Sequence, residues 1–137
     1  MRIAPQLRQQ MAAMGEAAYP NEGCGIFLGT PGDDPDVVEV RLATNLRQDR
    51  ARDRYVMDPK DIMLAEREAE ARGLEVLGFW HTHPDHPARP SQYDAEHAWP
   101  EYVYVIMAIE AGKLAEVTAW VLESETPPVF AETALSG

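Results

Sequence analysis

The run Leu74-Glu-Val-Leu-Gly-Phe-Trp-His-Thr-His-Pro-Asp-His-Pro-Ala-Arg-Pro-Ser-Gln-Tyr-Asp94 decides how this chain is read. Its apolar first third, Leu74 to Trp80, predicts a buried strand that ends on His81-Thr82-His83. Alternate side chains of a strand share a face, so His81 and His83 project together while Thr82 points away. Pro84, Pro87 and Pro90 then keep the chain out of helix and strand ladders. Ser91-Gln-Tyr-Asp94 has the form of a helix start, with Ser91 as N-cap and Asp94 at the third helical position. A carboxylate placed there lies in the positive field of the helix N-terminus and ionises easily.

Two imidazoles and one carboxylate make three protein ligands and leave a fourth tetrahedral position for water. That is the open arrangement of catalytic zinc, whereas closed structural sites use four ligands and favour thiolates. The expectation is one zinc ion per chain, held by His81, His83 and Asp94. Each part taken alone has another use: a His-X-His pair is unspecific, and Ser91 with Asp94 can simply cap a helix. Their combination, at a strand end, across a proline-stiffened loop and at an acidic helix start, is far more specific.

Composition bounds the rest. A chain of 137 residues reads as one domain with a real core. Hydrophobic residues at 45% and charged residues at 26% match a soluble globular protein. The N-terminus has no signal-like apolar region and no run reaches membrane-spanning length. With Cys24 as the single cysteine, no intrachain disulfide forms, and a cytoplasmic location is expected. A net charge of −11 argues against nucleic acid and against anionic membrane surfaces as partners.

Along the chain, Ile3, Leu7, Met11, Met14 and Ala18 fall at helical spacing and predict an amphipathic helix over 3–18. Gly25 to Gly29 reads as a short buried strand, which puts Glu22 at its mouth. Val38, Val40 and Leu42 alternate with polar residues, as a half-buried strand does. Arg47, Arg50, Arg52 and Arg54 form either a solvated loop or a rim that binds a carboxylate. A short strand is expected over Tyr55 to Met57. A helix then starts at Asp58-Pro59, buries Ile62, Ala65 and Ala69, and closes at Gly73. A further helix covers Ser91 to Ala98, and strands follow over Tyr102 to Ile109 and Leu114 to Leu122. Val129-Phe130 is a short apolar piece after Pro127-Pro128, and the tail to Gly137 reads as loose. This order predicts an α/β fold, a mixed β-sheet covered by helices. Cys24 and Trp80 read as core. His86 and Asp85 are placed at the mouth of the site, and neither His86 nor His97 is assigned as a ligand.

His81-X-His83-Pro84, six residues, then Ser91-X-X-Asp94 resembles the signature of the JAMM (MPN-plus, Mov34/JAB) zinc metalloproteases. Pro20-Asn-Glu22-Gly-Cys24-Gly resembles the same family's upstream glutamate followed by Cys-Gly and a short strand. The likeness covers roughly residues 5 to 125, within a single domain spanning 1–137, and is nearest the small free-standing prokaryotic type. It implies the JAB/MPN fold, similar to the cytidine-deaminase architecture, with Glu22 as general base and Ser91 as an oxyanion donor. A zinc deaminase proper would need a Pro-Cys-X-X-Cys pair that one cysteine cannot supply.

The implied reaction is metal-assisted amide hydrolysis after the C-terminal Gly-Gly of a ubiquitin-like or sulfur-carrier protein. Removal of a C-terminal amino acid or peptide extension is favoured. The alternatives are isopeptide deconjugation from lysine and a non-catalytic MPN scaffold. Members of the last kind typically lose zinc ligands, and none is missing here.

Overall fold

A computed structural model of the chain describes residues 1–47 and 55–137. The elements run α1 (Pro5–Ala18), β1 (Cys24–Thr30), β2 (Asp36–Ala43), α2 (Pro59–Ala71), β3 (Glu75–Pro84), α3 (Gln92–Glu96), β4 (Val103–Glu110), β5 (Lys113–Glu125) and β6 (Pro128–Thr133). The strands form one six-stranded sheet in the order β2-β1-β3-β4-β5-β6. Every pairing is antiparallel except β3 with β4. A parallel pair needs a long crossover, and the segment that carries the proline loop and α3 supplies it. The fold is therefore α/β with a mixed sheet covered by helices, as expected.

Both faces of the central strands are buried, and strand alternation divides their side chains between two cores. On one face Phe27, Trp80, Val105 and Met107 pack with Ile3 and with Met11 of α1. On the other, Ile26, Leu28, Phe79 and Tyr104 pack with Ala65 and Ala69 of α2. Each fully buried side chain of this size contributes about 1.5–3 kcal/mol relative to exposure. α2 starts as its sequence predicts: Asp58 accepts the Lys60 N–H at 2.9 Å and Pro59 occupies the first turn. Gly73, just past its end, takes the left-handed φ of +69°.

Several expectations are corrected. In β2 the buried pair is Val37 and Val40, while Val38 and Leu42 are exposed. Leu28 pairs with Glu39 and Gly29 with Val37, so Val38 is the extra residue of a β-bulge that shifts the alternation. Tyr55 to Met57 is no strand; it makes a single antiparallel bridge, Asn45 to Met57. Helix α3 stops at Glu96 with His97 as its C-cap, short of Ala98. Ile3 precedes α1 and donates its N–H to Ser136 O at 2.8 Å. The chain end is correspondingly tied down. β6 pairs with β5, Ser136 N–H donates to Met1 O at 3.0 Å, and Arg8 Nη2 donates to Leu135 O at 2.6 Å. Packing thus reaches past residues 5–125 at both ends.

Gly25 is one of the positions where this packing leaves no room for a side chain. A Cβ there would overlap the Arg41 carbonyl and the indole of Trp80, which itself donates Nε1–H to Arg41 O at 3.1 Å. Gly25→Ala should cost about 3 kcal/mol or more and lower Tm by roughly 10 °C. Gly32→Ala, with nothing within 4 Å of the added carbon, meets no clash and carries only the backbone strain of its φ of +144°, which makes it the comparison. Thermal unfolding of the two variants checks this; equal melting would contradict it.

Candidate active site

β3 delivers both imidazoles from one face, and Thr82 turns to the other. Thr82 Oγ1 accepts the Gly23 N–H at 2.8 Å, and Thr82 N–H donates to Gly23 O at 3.0 Å. This pair of bonds clamps the start of β1 against β3 and sets Glu22, 6% exposed, beside the histidines. Asn45 Nδ2 donates to Glu22 O at 3.1 Å and holds the same turn from the opposite side. His81 is buried and stacked on Tyr55, with ring centroids 4.7 Å apart. His83 Nδ1 lies 2.8 Å from Pro87 O, a carbonyl that can only accept. The proton therefore sits on Nδ1, and Nε2 presents its lone pair to the site.

Helix α3 brings in the carboxylate through a capping box. Ser91 Oγ accepts the Asp94 N–H at 3.1 Å, and Asp94 Oδ2 accepts the Ser91 N–H at 2.9 Å. The same Oδ2 lies 3.4 Å from Nε2 of His81 and 3.4 Å from Nε2 of His83. The two Nε2 atoms are 3.1 Å apart. Ligand atoms at the corners of a tetrahedron with bonds of about 2.0–2.1 Å are separated by about 3.3–3.4 Å, so this triangle fits a small divalent cation. Two nitrogens and an oxygen facing one another at this range repel unless a cation or proton lies among them. The Glu22 carboxylate also converges: one of its oxygens and the two imidazoles lie within 4.8 Å of one another. His81 Nδ1 is buried and without a hydrogen-bond partner among the described residues.

The electrostatics follow from burial and these contacts. Burial lowers the pKa of His81 and favours its neutral, ligating form. His83 is also pushed down by burial, but its contacts with Asp94 and the Pro87 carbonyl outweigh this and raise it. Burial would raise Asp94; the two histidines and the Ser91 amide hold it well below the usual carboxylate range. Burial, then the charges of Asp61 and Glu22, push the Cys24 thiol up to about 12, so it is a packing group rather than a nucleophile.

All five expected residues, Glu22, His81, His83, Ser91 and Asp94, lie together, and four of them (His81 excepted) line a cavity of roughly 320 Å³. His86 reaches this cavity, as expected for the mouth. Asp85 does not: it accepts Tyr19 Oη–H at 2.7 Å and Ala111 N–H at 2.9 Å, away from the site. His97 Nδ1 donates to Tyr93 O at 2.8 Å and stacks on the Tyr93 ring. Arg47 donates its N–H to Asn45 Oδ1 at 3.0 Å, whereas Arg50, Arg52 and Arg54 lie outside the described residues. Tyr55, Tyr93, Asn45 and Arg89 are part of the site's surroundings that no local sequence signal announced. A second cavity of roughly 200 Å³ adjoins Tyr55, Tyr93 and Asp94 and is lined mainly by apolar and aromatic side chains, including Met57, Trp99 and Phe130.

The family described as prokaryotic homologs of the JAB domain matches residues 4–123, nearly the whole chain. The protein belongs to this family. This JAB-domain chain is 36% identical over 90 residues to a desampylase of Haloferax volcanii, covering 64% of the chain and 62% of that relative. It is 33% identical over 106 residues to a desampylase of Pyrococcus furiosus, covering 76% and 69%. The matched segment thus spans about two thirds of each relative. AF2198, a JAB1/MPN domain protein from Archaeoglobus fulgidus, superposes with a TM-score of 0.59 at 17% identity, over 100% of both chains. That likeness shows the JAB fold alone. Among the described residues, no helix is long and apolar enough to cross a membrane.

The pair formed by His83 and Asp94 predicts a pH window in the metal-free protein. A raised His83 contributes stability fully below its ordinary pKa of about 6.5, lost as pH rises through the folded value. A depressed Asp94 contributes above about 3.9, lost as pH falls towards its folded value. With chelator present, the wild type should exceed Asp94→Asn by about 1–3 kcal/mol, with the largest gap between about pH 4 and 6.5. Urea unfolding from pH 3 to 9 reads this directly; a gap independent of pH would contradict it.

Proposed function

We propose that this JAB-domain protein is a zinc-dependent hydrolase. It cleaves the amide bond after the C-terminal Gly-Gly of a ubiquitin-like or sulfur-carrier protein. The observation that carries the reading is the triangle of His81, His83 and Asp94 with the Glu22 carboxylate beside it. Asp94, 3.4 Å from both imidazole nitrogens and fixed by its capping box, is the third ligand. Glu22, which converges on the same two imidazoles, is left to handle protons. A full ligand set weighs against a scaffold role. The substrate class rests on the family resemblance, and the two relatives named desampylase support enzymatic activity.

His81, His83 and Asp94 would hold the ion, which supplies Lewis acidity when bound, acidifying water and polarising the scissile carbonyl. Glu22 takes one proton from the attacking water as its oxygen bonds to the carbonyl carbon. Ser91 Oγ already accepts the Asp94 amide, so its hydroxyl proton remains available for the developing oxyanion. When the C–N bond breaks, Glu22 returns the proton to the leaving amine, giving a carboxylate and a free amine. Burial of Glu22 keeps this shuttle away from bulk water.

Intact-mass analysis of a carrier protein bearing a short extension after Gly-Gly tests the reading. Loss of the extension, abolished by a chelator and restored by zinc, is the expected result. Glu22→Gln should bind stoichiometric zinc yet lose nearly all turnover, and Ser91→Ala should lose about 100- to 1000-fold. A zinc-loaded wild type that cleaves neither linear nor lysine-linked carriers would overturn the proposal.

A further inference from the structure

Two cavities meet at the site, and Tyr55, Tyr93 and Asp94 border both. The larger one is polar at its mouth, where His86 and Arg89 stand beside Ser91. Arg89 is exposed, and its guanidinium has no carboxylate partner among the described residues. Its backbone is nevertheless well placed. Arg89 N–H donates to Pro87 O at 2.8 Å, and neighbouring Ala88 is fully buried. Ala88 O accepts Thr118 Oγ1–H at 2.6 Å, and Thr118 Oγ1 in turn accepts Trp120 Nε1–H at 2.7 Å. β5 therefore fixes the loop from which the guanidinium is presented, two residues before Ser91.

We propose that Arg89 is the subsite for the α-carboxylate of the residue released from a linear C-terminal extension. This rests on the hydrolase reading and deepens it. The chain carries 23 acidic against 12 basic residues, so its overall field repels an anionic chain end. At the reaction centre a bound divalent ion balances Glu22 and Asp94, so the field of the acidic chain is left uncompensated at the mouth, where a terminal carboxylate needs a cation to settle. The smaller cavity has no lysine or arginine among its described lining residues, and Arg89 offers a planar donor fork matched to a carboxylate. The leaving residue consequently lies in the cavity that holds Arg89, and the acyl side lies toward the other one. A lysine-linked conjugate presents no carboxylate at this position, so Arg89 favours linear trimming over deconjugation.

The test compares two substrates on the zinc-loaded enzyme: a carrier ending Gly-Gly-Ala with a free acid, and the same carrier ending in the carboxamide. Wild type should show kcat/KM about 10-fold higher for the acid, mainly through KM, the size expected for an exposed charge-assisted pair. In Arg89→Gln that ratio should fall to about one, and Arg89→Lys should retain part of it. A ratio near one in wild type, or one unchanged in Arg89→Gln, would overturn the subsite while leaving the hydrolase reading intact. Failure of wild type to cleave either substrate would instead remove the hydrolase reading, and the subsite with it.

Discussion

The carboxylate of Asp94 is shared between two tasks, and the architecture of the site depends on that sharing. Its Oδ2 atom accepts the Ser91 amide and faces both imidazoles at 3.4 Å. The first contact fixes where α3 begins, and the second fixes where α3 stands relative to β3. A helix of one and a half turns has little stability of its own, because helix nucleation is unfavourable. The capping box and the imidazoles supply what its length cannot. The same convergence has a cost: burial works against the charge on Asp94, and the two Nε2 atoms, 3.1 Å apart, repel unless a proton or a cation lies between them. A cation at this point relieves both.

The second constraint runs through the sheet. β1 lies antiparallel to β3, with Cys24 opposite His81. That register brings the turn before β1 alongside the end of β3. The Thr82 clamp on Gly23 makes the approach close, and Glu22 follows from it. Thr82 can act this way only because strand alternation sends it to the face opposite the histidines. One short strand end therefore organises the proposed ligands, His81 and His83, on one side and the proposed general base, Glu22, through the other. Gly25, under the Trp80 indole, allows the two strands to close at that point.

Much of this was legible in the sequence because its determinants are local. The histidine pair, the proline loop and the capping box all fall between His81 and Asp94, and strand periodicity and cap chemistry are rules of near neighbours. The mixed sheet followed from the order of apolar runs. What was misread depends on distant partners. The bulge at Val38 is set by pairing with β1, so Val37 takes the buried place that alternation gives to Val38, while Val40 is buried as that alternation implies. The tail was read as loose because its partners, Met1 and Ile3, sit at the other end of the chain. Asp85 was placed at the mouth, but its φ of +58° and the hydroxyl of Tyr19 take it elsewhere. Tyr55 against His81 and Asn45 against Glu22 had no sequence signal for the same reason.

The most direct test of the account is the X-ray absorption spectrum of the zinc-loaded protein at the metal edge. Two imidazole nitrogens with oxygen ligands, all at about 2.0–2.2 Å and without sulfur, are predicted. Asp94→Ala should disturb that spectrum, and Glu22→Gln should leave it unchanged. A sulfur ligand at about 2.3 Å would bring Cys24 into the coordination sphere and contradict the account. So would a protein that takes up no stoichiometric zinc.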